Sequence, residues 1–146
     1  PNVIEDARAA WSHRRDSVAA RVDFAAGNFF DGASIPRLGA GEAFVLRNIL
    51  HDWPDADCLR ILTNLRHSMD PDSRLLLVEL GLAAEASGHS LERARSGIDM
   101  LMMTMFEGRE RTRPEFESLF TRSGFELVKV TRTRSVAQVV EARPVS

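Results

Sequence analysis

His51, Glu79 and Glu110 are side chains of the types that can move or orient a proton. His51 follows the apolar run Ala43-Phe44-Val45-Leu46-Arg47-Asn48-Ile49-Leu50 and opens the segment His51-Asp52-Trp53-Pro54-Asp55. It therefore stands just beyond the carboxyl end of an expected strand, where open parallel sheets bind ligands. An imidazole there can exchange a proton near neutral pH, or it can bond the backbone where a helix starts; from position alone the second reading is the commoner. Glu79 sits at the end of a second apolar run, Leu75-Leu76-Leu77-Val78-Glu79-Leu80, where an ionised carboxyl needs a partner or an opening to water. That favours a site position over a plain surface end. Glu110 lies in the charged stretch Gly108-Arg109-Glu110-Arg111-Thr112, which suits an orienting carboxylate and a solvated one equally well.

Other chemistries are excluded by context. Gly39-Ala40-Gly41 precedes a strand instead of following one, so it is not a loop that cradles phosphate or cofactor. His13, His67 and His89 lack metal-ligand spacing, and Cys58 falls within a buried helical stripe. Neither a metal site nor thiol chemistry is expected.

The elements that must position these groups follow from periodicity. Val3, Ala7, Ala10 and Trp11 predict a helix over residues 2 to 18, and Arg21 to Ala26 reads as a short strand closed by Gly27-Asn28. The run 43 to 50 has the unbroken apolar character of a parallel strand covered on both faces. An Asp cap and a first-turn Pro then announce a helix whose buried stripe is Cys58, Ile61, Leu62, Leu65 and Met69. Asp70-Pro71-Asp72-Ser73 makes a turn into the second doubly buried strand, so residues 43 to 80 form a strand, helix, strand unit with a right-handed crossover. After a loop around Glu85 to Gly88, Leu91, Ala94, Ile98, Leu101, Met102 and Met105 mark another helix, apolar nearly all round from Ile98 onward. Thr112-Arg113-Pro114-Glu115 is a capping box, Phe116, Leu119 and Phe120 supply the buried face, and Gly124 ends that helix. Phe125 to Thr131 and Val136 to Ala142 read as a terminal strand pair.

With 146 residues, 44% hydrophobic and 27% charged, the chain suits a single domain over residues 1–146. A formal charge of -2 gives no field to gather nucleic acid or anionic lipid. One cysteine precludes an internal disulfide framework and fits a reducing compartment, so a cytoplasmic location is expected. No apolar run approaches the roughly 20 residues of a membrane span, and no signal-peptide pattern opens the chain.

The order of Gly27-Asn28-Phe29-Phe30, Leu46-Arg47-Asn48-Ile49-Leu50-His51-Asp52-Trp53, Leu77-Val78-Glu79, Ile98-Asp99-Met100-Leu101 and Gly108-Arg109-Glu110-Arg111-Thr112 resembles a known family. It is similar to the C-terminal part of the catalytic domain of S-adenosylmethionine (SAM) dependent small-molecule O-methyltransferases, the plant caffeate type and the bacterial polyketide type. The resemblance spans essentially the whole chain. It implies an α/β fold: a truncated Rossmann-like domain with a mostly parallel sheet and a terminal antiparallel pair. It also implies that His51 is the general base for an acceptor hydroxyl, flanked and oriented by Glu79 and Glu110. A phenol with a pKa of about 10 is a poor nucleophile at neutral pH, and a positioned imidazole removes its proton as the methyl group moves. Asn28, Phe29 and Arg47 take the positions of cofactor contacts, with Asn28 in place of an Asp and Arg47 in place of a Lys. From the residues alone, Phe29 is equally a core side chain and Arg47 equally half of an ion pair. Asp52, Trp53, Met100 and Met103 match the acceptor pocket, although methionines at helical spacing are as often core.

The family's Gly-rich turn and the acidic ribose ligand are not among these residues. On the resemblance, the strands that carry them lie between the strands at 21 to 26 and 43 to 50. The expectation is therefore a rearranged sheet with the strand at 21 to 26 moved inward, or a homodimer or other pairing through the edge at 43 to 50. Three functions follow. The first is a SAM-independent enzyme of secondary metabolism using His51 acid/base chemistry, of dehydration or cyclisation type, on an aromatic or polyketide small molecule, with no cofactor of its own. The second is a SAM-dependent O-methyltransferase whose cofactor half comes from another chain or was removed. The third is a non-catalytic binding or assembly partner.

Overall fold

The computed structural model describes residues 2–13, 18–80, 108–135 and 137–145. The Met-rich helix expected around residues 91 to 105, with Met100 and Met103, lies outside the described residues. Helix α1 (Asn2–Ser12) is followed by strand β1 (Ala43–Arg47), helix α2 (Asp55–His67) and strand β2 (Arg74–Glu79). Helix α3 (Arg113–Ser123) then leads into strands β3 (Phe125–Arg132) and β4 (Gln138–Pro144).

The four strands form one sheet in the order β1-β2-β4-β3. β1 pairs parallel to β2, with Leu46 opposite Leu77, and β4 inserts antiparallel between β2 and β3. Thus β1, β2 and β3 share a direction and β4 opposes them, which gives the α/β fold with a terminal antiparallel pair expected from the sequence. The strand predicted at 21 to 26 does not form: a 3-10 turn spans Ala19–Arg21 and residues 22–28 are irregular. With no neighbouring strand to take its backbone groups, the segment uses Phe24 against the Trp11 ring, and the Arg8 guanidinium bonds the Phe24 carbonyl. The sheet is therefore not rearranged around this segment, and among the described residues β1 is an edge.

The predicted stripe of α2 is the centre of the core: Cys58, Ile61, Leu62, Leu65 and Met69 are all buried. They meet Leu75 and Leu77 of β2, Val140 and Ala142 of β4, and Phe116, Leu119 and Phe120 of α3. Burying a large apolar side chain contributes about 1.5–3 kcal/mol, so this cluster fixes both helices on one sheet face. The other face is only half covered by the described residues: Leu76 and Val78 are half-buried and Val45 is 62% exposed. The expectation of strands covered on both faces is corrected to that extent. The Thr112–Glu115 capping box and the left-handed Gly124 that close α3 form as predicted. At α2 the cap is Pro54, not an aspartate, and Asp55 is the first helical residue.

Two features set the place of the site. β1 and β2 both end at the same edge of the sheet, since they are parallel. Asn48 follows β1 with φ 52, and its N–H still donates to Val78 O at 3.0 Å. Asparagine tolerates the left-handed region better than most residues. The ladder is thus carried one residue further before the chain turns into a 3-10 helix, Leu50–Asp52.

Candidate active site

His51 sits on that 3-10 turn, and its side chain is 11% exposed. Its Nδ1 lies 2.8 Å from Glu110 Oε1. Against a carboxylate acceptor the proton resides on Nδ1, which leaves Nε2 as the basic nitrogen. Nε2 faces Asp52 Oδ1 at 3.4 Å. The Glu110 hydrogen bond raises the imidazole above its ordinary 6.5, against the opposing effect of burial, and the charges of Glu79, Glu110 and Asp52 add to it.

Glu79 supports the turn through the backbone. Its Oε1 accepts from the N–H groups of Ile49 at 3.1 Å and Leu50 at 3.0 Å, the donors at the start of the turn. Oε2 is buried without a hydrogen-bond partner. Burial pushes this carboxyl upward, against the Leu50 and Ile49 N–H bonds and the charge of His51.

The structure thus brings His51, Glu79 and Glu110 together, with ligand-capable atoms within 4.8 Å of one another. Such a set is also a geometry in which a divalent ion could be held. Here, however, Nδ1 and Glu79 Oε1 are engaged in hydrogen bonds, so a cation would have to displace them from Glu110 and from the turn backbone.

The other sequence-predicted residues divide. Asn28 and Phe29 line a cavity of about 210 Å³ with Ile35, Phe44, Leu46 and Leu65. Asn28 Oδ1 accepts from the Phe30 N–H, which fixes this turn. The Trp53 ring, two residues beyond His51, meets Phe30 and Phe29 edge-on at 4.8 and 6.0 Å and is not among the residues that line this cavity. Arg47 belongs to the opposite side of β1 from Phe44 and Leu46 and does not join that cavity.

Gly108 and Arg111 carry structural roles that sequence reasoning did not assign. A Cβ on Gly108 would stand 1.9 Å from the His51 carbonyl oxygen, so only glycine allows the two backbones to meet. The Arg111 side chain is 1% exposed and bonds Leu50 O, Trp53 O and Asp55. The one sequence signal was the motif Gly108-Arg109-Glu110-Arg111-Thr112 as a unit, since nothing local distinguishes a buried arginine from a solvated one. Cys58 Sγ lies 3.3 and 3.4 Å from the same two carbonyl oxygens, which share its one S–H, and burial pushes its thiol up to about 11.

Comparison with known proteins places the chain in a family. The family model for the O-methyltransferase domain matches residues 1–126. Phenazine O-methyltransferase PhzM of Lysobacter antibioticus is 36% identical over 128 residues, which cover 88% of this chain and 35% of that enzyme. The crystal structure of LaPhzM superposes with a TM-score of 0.85 at 33% identity, covering 99% of this chain and 41% of that one. Human N-acetylserotonin methyltransferase, solved in complex with SAM, superposes with a TM-score of 0.80 at 25% identity over 100% of this chain and 39% of its own. The chain thus spans less than half the length of the relatives it matches. Among the described residues no helix is long and apolar enough to cross a membrane. Its matched sequence, its sheet and the order of its motifs make the chain a member of the O-methyltransferase domain family, corresponding to the C-terminal part of that domain.

Proposed function

We propose that this chain carries the proton-transfer part of a SAM-dependent O-methyltransferase site acting on a hydroxyl of a small aromatic or polyketide molecule. The observation that carries the reading is the buried His51 Nδ1–Glu110 contact of 2.8 Å. It fixes the tautomer, turns Nε2 toward the side away from Glu110 and strengthens the base. In this role His51 Nε2 accepts the acceptor hydroxyl's proton, and Glu110 stabilises the imidazolium that forms. Asp52 Oδ1, partly exposed and 3.4 Å from Nε2, borders the place the acceptor hydroxyl would take. Glu79 acts on the backbone by holding the N–H groups of Ile49 and Leu50.

SAM supplies an electrophilic methyl group when bound. The cavity beside Asn28 and Phe29 fits the flat, apolar part of that molecule: its walls are aromatic and aliphatic and it presents an amide. It offers no pair of charges for the amino-acid end, so the remaining contacts come from outside the described residues. The edge of β1, which pairs with no further strand among the described residues and has Val45 exposed beside half-buried Phe44 and Leu46, supports seating of the donor half there, from the same polypeptide or a second one.

The relatives named above are methyltransferases, and none supports the donor-independent dehydration or cyclisation that the sequence reading put first. The buried His51–Glu110 pair favours proton transfer over a purely binding role. The test is methyl transfer from SAM to a panel of aromatic hydroxyl compounds, using protein that contains this chain with its donor half. His51→Ala is expected to lower kcat by about 10²- to 10⁴-fold while SAM affinity is kept. Turnover unchanged by that substitution rules out the assignment of His51.

A further inference from the structure

We infer that Arg111 is the positioning residue of this site, holding the turn that carries His51 against the segment that carries Glu110. The inference rests on the reading of His51 and Glu110 as a working pair. A guanidinium has five N–H donors in a rigid plane, and here all five are used. Nη1 donates to Leu50 O at 2.7 Å and Arg109 O at 3.3 Å. Nη2 donates to Trp53 O and to Asp55 Oδ1, both at 2.8 Å, and Nε reaches the same Asp55 oxygen at 3.2 Å.

The acceptors explain the role. Leu50 and Trp53 bracket His51 and Asp52, so two of the bonds grip the backbone on either side of the base. Asp55 begins α2 and ties the grip to the helix. Arg109 O belongs to the same segment as Glu110, and Arg111 is Glu110's immediate neighbour. The two backbones from which the His51 ring and the Glu110 carboxylate project are thus joined through one planar group. A displacement of about 1 Å between them would take Nδ1 out of hydrogen-bond reach. Lysine cannot replace this, because an ammonium has three donors on one atom and cannot span carbonyls three residues apart while meeting Asp55.

The test is ¹⁵N NMR of the His51 ring in the full chain, at a pH where the imidazole is neutral, read as the ratio of Nδ1–H to Nε2–H tautomers. Wild type is expected to be dominated by Nδ1–H. Arg111→Lys is expected to fold with a lower thermal midpoint and to lose that bias several-fold. Arg109→Lys, which also loses a bond to Asp55 but from the exposed side, is expected to keep it. Glu110→Ala sets the size of complete loss. A ratio unchanged in Arg111→Lys but lost in Glu110→Ala overturns the inference alone; a ratio unchanged in both overturns the pair and the inference with it. Should Arg111→Lys fail to fold, Asp55→Asn carries the test. A reduced bias there supports the positioning role and an unaltered one overturns it.

Discussion

His51 Nδ1 and the carboxylate of Glu110 meet at 2.8 Å although the residues are 59 apart in sequence, one on the turn after β1 and the other just before α3. The bond is the largest cause that raises the imidazole above 6.5. A base works only when unprotonated, so kcat/KM should rise with pH through the raised value, above the range of a free histidine. Glu110→Ala should move that limb to lower pH and reduce the plateau. Stability follows the same linkage. A histidine raised in the folded state contributes stability that is fully present below 6.5 and lost as pH rises through its folded-state value. Urea unfolding across that window should show the decline in wild type and lose it in Glu110→Ala. A pH–rate limb that stays in place in the variant would remove Glu110 from the mechanism.

Gly108 meets the His51 backbone too closely to accept any side chain. The obstructing atoms are His51 O at 1.9 Å and the Asp52 carbonyl carbon at 2.6 Å, neither of which can rotate away. Gly108→Ala must therefore separate the two segments, at a cost of about 1–3 kcal/mol. Because Glu110 lies two residues on, the separation should also release Nδ1. Denaturant midpoints and the His51 tautomer ratio should both fall. A stable variant with a wild-type ratio would mean that the close approach has no bearing on the base.

Helices α2 and α3 were legible in the sequence because their signals are local, whereas the first helix, expected over 2 to 18, ends at Ser12. A stripe at Cys58, Ile61, Leu62, Leu65 and Met69 has one way to be buried, and all five residues are. The capping box at Thr112 and the glycine at 124 needed only their neighbours. The strand expected at 21 to 26 failed because a strand is defined by its partner, and apolar residues such as Val22 and Phe24 do not reveal whether one exists. His51 could be placed at the end of a parallel strand from the sequence, and the family resemblance supplied its company. What could not be read was the division of labour. Glu110 touches the ring and Glu79 touches only the backbone of the turn, while Arg111 and Gly108 were two further members of a charged stretch. Each depends on a contact made across about thirty residues or more.

Cys58 offers a reporter of the turn. Its thiol bonds the two carbonyls that Arg111 holds, and burial raises it from 9.0 to about 11. Near neutral pH that change lowers the thiolate fraction about a hundredfold, before any steric protection. Alkylation by iodoacetamide should therefore be slower in the native chain than in urea by at least that factor. Variants that loosen the turn, Gly108→Ala among them, should shorten the gap. Equal rates in native and unfolded protein would contradict the burial of this thiol.

Asn48 decides where the chain leaves the sheet. Its φ of 52 lies in the left-handed region, and its N–H remains bonded to Val78 O at 3.0 Å. Glycine has no Cβ to clash there, while a β-branched residue meets the following carbonyl at a cost of about 1–2 kcal/mol. Asn48→Gly should thus keep both stability and the His51–Glu110 contact. Asn48→Val should lose stability and, by pulling the chain back toward extended geometry, shift the start of the turn that Glu79 holds at Ile49 and Leu50. The pair of variants separates backbone conformation from side-chain contact, since both remove the amide. Thermal unfolding gives the stability order, and the tautomer ratio of His51 shows whether the turn has moved. Equal behaviour of the two variants would assign the effect to the lost amide and not to φ.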